Sequence, residues 1–239
     1  MHVIFFGYNR KELLLILKQK ENRMTSSQKR SGNMDQFVKD LERELAEHPG
    51  SVIAAHRLAL AYWRSDRLQD AVETFRKALA IDESSQEIRV NLGTLFLQMG
   101  ELEKGIQENK TALKIHPRSA EAMANIGSAY IQLKKWQEAS DYLQQALQVK
   151  PDMVPCWTNL ATVLIELGKI DDAVAAGEKA VSLAPSFGLA HNNLAVAYYH
   201  SGEYDKALEH LEKAEQHGYP VHPDFKEKIS AASGKTTGD

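Results

Sequence analysis

Apolar residues in this chain recur at spacings of three and four, in paired stretches of about 13 residues divided by short polar breaks. That spacing predicts amphipathic helices. The pairs themselves recur, and the windows 52–85, 86–119, 120–153, 154–187 and 188–221 align without a gap at a period of 34 residues. Each window predicts two helices, A and then B. The seventh position reads Leu58, Leu92, Ile126, Leu160 and Leu194. The eighth holds only small residues, Ala59, Gly93, Gly127, Ala161 and Ala195, and the twenty-seventh is always alanine. Small residues at fixed places let helix backbones approach closely while larger neighbours fill the space between.

The breaks are punctuated in the same register. Gly100, Gly168 and Gly202 stand where helix A should end, at positions suited to a positive φ. Pro117, Pro151 and Pro185 follow helix B and stop it; Glu83 stands where the same column would hold a proline. Two residues depart from the pattern. At position 24, where Phe75, Leu143 and Leu211 stand in other windows, the second has Asn109 and the fourth Gly177. Weaker packing is expected of those two B helices.

One such unit would leave an apolar face in water, so the units must stack. The stretches "NIGSAYIQLKKWQEASDYLQQALQVKP" at 125–151 and "NLATVLIELGKIDDAVAAGEKAVSLAP" at 159–185 resemble the tetratricopeptide repeat (TPR) family. The resemblance covers about 170 of the 239 residues. It implies an all-α fold, a TPR α-solenoid wound as a right-handed superhelix. Residues 34–49 then read as an N-terminal capping helix with Phe37, Leu41, Leu45 and Ala46 as its stripe, and 50–221 as five repeats. Residues 222–230 read as a C-terminal capping helix led by Pro223, and 231–239 as a disordered tail.

Composition modifies this picture at one end. The formal charge of the chain is −3, which argues against a nucleic-acid binder. Residues 1–34 nevertheless carry seven Lys/Arg against two Asp/Glu, so a basic leader and linker, 1–33, precedes an acidic body. That leader reads as a dispensable start, with Met24 and Met34 as other starting points, as a partner-docking helix over Leu13 to Leu17, or as a weak interfacial anchor. No run of 18 apolar residues and no signal-peptide pattern occurs, so no membrane contact and a cytoplasmic location are expected.

Catalytic chemistry has little to stand on. The nucleotide-binding, zinc-protease, nucleophile-elbow and paired-cysteine motifs are all missing from the sequence. The single cysteine, Cys156, forbids an internal disulfide and reads as a semi-buried structural thiol. No HxH or HxxxH spacing occurs; His217 and His222 flank a turn and could in principle meet a metal, but neither a metal nor a cofactor is expected.

Helix A carries the informative positions. Its sixth position reads Asn91, Asn125, Asn159 and Asn193, with Arg57 in the first window. A regular stack must set these amides in one line, and an amide carries both donors and an acceptor, as a peptide backbone does. The line resembles the asparagine ladder of the TPR superhelix in O-linked N-acetylglucosamine transferases. Alongside it stand Thr94, Ser128 and Thr162, then Leu97, Ile131, Ile165 and Tyr199, then Gln98 and Gln132, positions that in TPR domains line or border the concave face. Two roles remain open for the asparagines: to hold a peptide backbone, or to tie neighbouring turns together. The TPR subclass that clamps acidic chaperone tails needs Lys and Arg here, and only Arg57 has that character.

The expected function is therefore a non-catalytic adaptor binding an extended peptide segment of another protein in a neutral groove. Two alternatives stay open: a self-associating scaffold, hence a homo-oligomer, and an accessory subunit of an enzyme or of a secretion or envelope complex.

Overall fold

The structure is a computed structural model and describes residues 34–234. Within them the chain is entirely helical. Helix α1 spans 34–47. The A helices are α2 (Val52–Arg64), α4 (Gln86–Gln98), α6 (Ala120–Gln132), α8 (Val154–Glu166) and α10 (Gly188–Ser201). The B helices are α3 (Leu68–Ile81), α5 (Leu102–Ile115), α7 (Trp136–Val149), α9 (Ile170–Leu183) and α11 (Tyr204–Gln216). A final helix, α12, runs over Pro223–Ala232. It passes the expected end at residue 230, and the basic leader and the last five residues of the tail lie outside the described residues.

The A-to-B turn shows why the sequence breaks where it does. Gly100, Gly168 and Gly202 have φ of 77°, 71° and 82°. Asp66 and Lys134 occupy the same column and are the non-glycine residues forced to positive φ, at 59° and 54°. At the helix starts, the Ser51 and Ser119 hydroxyls accept from the backbone N–H of Ala54 and Ala122.

The chain divides into two compact units at Ser84/Ser85, next to the column where Glu83 replaces proline. In the first unit α1 lies against α2. Glu42 accepts from the Tyr62 hydroxyl at 2.7 Å, and Glu44 pairs with Arg57 at 2.8 Å. The buried stripe of α1 is not the expected one. Val38 and Leu41 are buried and Leu45 half-buried, whereas Phe37 is 45% exposed and Ala46 faces solvent. A stripe through 38, 41 and 45 is the one that puts Glu42 beside Tyr62 and Arg67.

In the second unit every helix packs on the next, from α4 to α12, and each A helix also meets the next A helix: α4 with α6, α6 with α8, α8 with α10. The B helices make no comparable contact with one another. The A helices thus form the closer-packed, inner layer of this unit. Its core follows the columns: Leu92, Ile126, Leu143, Leu194 and Leu211 are buried, and Ala112, Ala146, Ala161, Ala180, Ala195 and Ala214 have no exposure.

The two departures at position 24 are packed, contrary to the expectation of loose B helices. Asn109 is fully buried. Its amide donates to the Gly105 carbonyl at 2.8 Å and its carbonyl accepts from Asn125 Nδ2 at 3.1 Å. A side chain at Gly93 would lie 2.2 Å from that amide, so the glycine is what admits it. Gly177 is buried too, and a Cβ there would stand 3.3 Å from Leu194 Cα. The missing side chain brings α10 onto α9.

Candidate functional site

Asn91, Asn125, Asn159 and Asn193 sit at equivalent places on α4, α6, α8 and α10, all half-buried. Their amides do not simply face solvent. Asn125 Nδ2 donates to Thr94 Oγ1 at 2.8 Å, Asn159 Nδ2 to Ser128 Oγ at 3.3 Å and Asn193 Nδ2 to Thr162 Oγ1 at 2.9 Å. Each bond reaches back 31 residues, from the sixth position of one repeat to the ninth of the repeat before it. The threonines are anchored in turn: Thr94 Oγ1 donates to the Val90 carbonyl at 2.8 Å, and Thr162 Oγ1 to the Thr158 carbonyl at 3.3 Å.

The two columns read from the sequence are therefore one hydrogen-bonded seam joining successive A helices. Their spare capacity differs from rung to rung. Asn193 is used at both ends, donating also to the Thr158 carbonyl and accepting from Asn192. Asn125 spends both N–H groups, on Thr94 and Asn109, and keeps its carbonyl oxygen. Asn159 keeps its carbonyl oxygen and one N–H. Asn91 is engaged as well.

Leu97, Ile131 and Ile165 are half-buried beside this seam, and Gln98 and Gln132 are exposed at its edge. Tyr199 differs. Its ring meets Phe225 of α12 edge-on at 5.6 Å and Tyr204 at 5.7 Å, and Lys228 Nζ lies 5.0 Å from the ring centre. The C-terminal helix covers the tyrosine that its column would place on the open face. Arg57 belongs to the first unit and is spent on Glu44.

Three histidines converge in the last repeat, a cluster that the sequence did not reveal. His191 stacks on His210 at 5.1 Å and on His217 at 5.5 Å. His191 Nε2 lies 2.9 Å from the Pro185 carbonyl, which can only accept, so that nitrogen carries the hydrogen. Its Nδ1 therefore accepts from His210 Nδ1 at 2.9 Å. Burial, with His191 as a second cause, pushes the His210 ring down to about 4. Burial likewise lowers His191. Three or more side chains able to hold a metal ion do not come together among the described residues.

Cys156 is buried on α8, and its thiol is pushed up to about 11 by that burial. No helix among the described residues is long and apolar enough to cross a membrane.

Profiles described as tetratricopeptide repeat match residues 27–86 and 158–223, residues 85–152 and residues 130–176. The chain belongs to the tetratricopeptide repeat family. Curated protein sequences give no match. Solved structures do. MamA is 26% identical at a TM-score of 0.61, covering 67% of this chain and 94% of that one. PilF of Pseudomonas aeruginosa is 24% identical at 0.68, over 77% of this chain and 84% of that one. YrrB, described as a TPR protein with an unusual peptide-binding site, is 19% identical at 0.63, over 82% and 98%. PilF and YrrB share the fold alone at such identities. The TPR chain is thus of a protein-interaction type, and the comparisons leave its partner unnamed.

Proposed function

We propose that this TPR protein is a non-catalytic adaptor whose second unit holds an extended, uncharged segment of a partner along the inner face of α4, α6, α8 and α10. One observation carries the reading: the central rungs Asn125 and Asn159 are fixed by the preceding repeat and still keep unused carbonyl oxygens, with an N–H besides at Asn159. An amide held in place by its own neighbours meets a peptide backbone without losing further side-chain freedom. Its surroundings suit a neutral ligand. Leu97, Ile131 and Ile165 offer apolar walls, and Gln132 offers an amide at the rim. The column resembles the asparagine ladder of O-linked N-acetylglucosamine transferases. No catalytic constellation, cofactor or metal enters this reading.

Replacing both asparagines by alanine tests it. Each hydrogen bond is worth roughly 0.5–1.5 kcal/mol net, so Asn125→Ala with Asn159→Ala should weaken a bound segment by about 1–3 kcal/mol, or 5- to 150-fold. The same change also removes part of the seam, so melting must be followed in parallel. Ser128→Ala separates the two roles, because it removes the acceptor of the seam bond and leaves both groups of the Asn159 amide in place. Stability that falls in both variants, with affinity for a partner segment unchanged, would make the asparagines purely structural.

A further inference from the structure

The outer face of the second unit holds an open cavity of about 620 Å³ between α7 and α9, floored by α8. Its walls are Leu147, Leu160, Leu164 and Ala176, with Trp157 at one side and Gln144 among the polar residues of its rim. Its origin lies in two residues that break their columns.

Position 11 of the repeat is aromatic on either side of this place, at Tyr130 and Tyr198, and is Leu164 here. Twelve residues further on, Tyr142 follows Tyr130 and His210 follows Tyr198, while Ala176 follows Leu164. Each flanking repeat closes the gap with a pair of rings: Tyr130 on Tyr142 at 5.7 Å, and Tyr198 on His210 at 5.6 Å. Neither ring is present in the repeat between them. The volume they would fill stands open to solvent.

The polar end of the arrangement is intact. Each of those tyrosine hydroxyls is met by the residue 20 positions earlier, on the preceding B helix. Lys110 Nζ donates to the Tyr130 hydroxyl at 3.3 Å, and the Tyr198 hydroxyl donates to Glu178 at 2.6 Å. The same step back from Leu164 arrives at Gln144, which lines the cavity. An amide can donate to a phenol or accept from one. The cavity thus keeps the apolar bed and the hydroxyl partner of a tyrosine side chain and lacks the ring itself.

Charge points to what presents that ring. Within α7 and α9 the exposed acids Glu138, Asp141, Asp171 and Asp172 stand against Lys179, with Lys135, Lys150 and Lys169 at the helix ends and Glu178 spent on Tyr198. Asp172 and Lys179 lie at the cavity, and Asp141 is one turn from Gln144 on the same face. A segment with lysine or arginine around its aromatic residue complements this surface.

We propose that the cavity between α7 and α9 is a socket for a tyrosine side chain carried by a basic segment of a partner protein. It lies on the face opposite to the asparagine seam and stands or falls independently of that reading.

The full chain with fluorine-labelled tryptophan, its Trp157 resonance assigned through Trp157→Phe, is titrated with the peptide KKYKK. The phenylalanine, leucine and alanine counterparts follow. The tyrosine peptide should shift the Trp157 resonance and bind at least tenfold more tightly than the alanine peptide. The phenylalanine peptide should fall between them, and Gln144→Leu should abolish its disadvantage. Leu164→Tyr supplies the missing ring from within and should reduce binding at least tenfold while the protein still melts cooperatively. Ala175→Trp at the exposed rim closes the mouth from outside and serves if the first variant does not fold. Equal binding of the tyrosine and alanine peptides, no Trp157 shift at millimolar peptide, or full binding by both filled variants would overturn the proposal.

Discussion

Adding a side chain at Gly177 should destabilise the protein, although a helix-interior glycine invites the opposite expectation. Glycine to alanine in a helix normally gains about 1 kcal/mol. The surroundings of this glycine decide the sign. A Cβ at 177 would lie 2.9 Å from Leu194 Cδ1, 3.2 Å from Leu194 Cβ and 3.3 Å from Leu194 Cα. The methyl can rotate away. The other two atoms move only with the backbone of α10, and Leu194 is itself 1% exposed in the core. Overpacking of this kind costs about 1–3 kcal/mol, so Gly177→Ala should lose about 1 kcal/mol net, and Gly177→Leu about 2–3 kcal/mol or more. Urea unfolding followed by far-ultraviolet circular dichroism measures both. Ala175→Gly, at an exposed site on the same helix, reports the propensity contribution alone and should lose about 1 kcal/mol. A raised midpoint for Gly177→Ala would refute the close-approach argument and restore the view of this helix as under-packed.

Lys134→Gly should stabilise by about 0.5–1 kcal/mol in the same assay, because a lysine held at φ 54° is strained and loses no contact that the helix needs. The histidine cluster should make stability fall with acid. Folded pKa values depressed below the ordinary 6.5 leave the contribution complete above that value, and it is lost as pH falls toward about 4, where His210 titrates. The loss should be on the order of 1–2 kcal/mol after screening at the half-exposed His210 ring, and His210→Gln should flatten the slope. Cys156 should resist iodoacetamide at mild alkaline pH until the protein unfolds, because the thiol is buried and its pKa is raised to about 11. Rapid labelling of the folded chain would contradict that burial.

Periodicity carried most of the fold. Helix ends, the left-handed turn residues and the small columns follow from local chemistry that repeats, so each instance reinforces the others. Interactions that cross between helices were harder to read. The asparagine column was plain, yet the bonds from Asn125, Asn159 and Asn193 to Thr94, Ser128 and Thr162 span two repeats, and no local spacing separates a seam from a binding site. Gly177 and Asn109 looked like defects because a one-dimensional pattern shows the missing side chain and not the neighbour that takes its place. His191, His210 and His217 belong to two helices and the turn after them, and meet only once α11 folds back on α10. For the outer cavity the signal was present: Leu164 breaks an aromatic column in plain view. Its significance emerges when the column twelve residues later is read with it.

The asymmetry between the helix layers has a mechanical consequence. In the second unit the A helices are bonded to one another through amide and hydroxyl side chains, while the B helices make no comparable contact with one another. Such a body bends like a fan whose ribs are riveted at one edge. The riveted edge stays nearly constant in length, and a change of curvature is taken up as spreading or closing at the other. The gap between α7 and α9 is at that free edge, and it is the place where two filling rings are missing. A partner laid along the inner face that altered the curvature even slightly would change the width of that outer gap, so a signal could cross the layer with no helix changing its own shape.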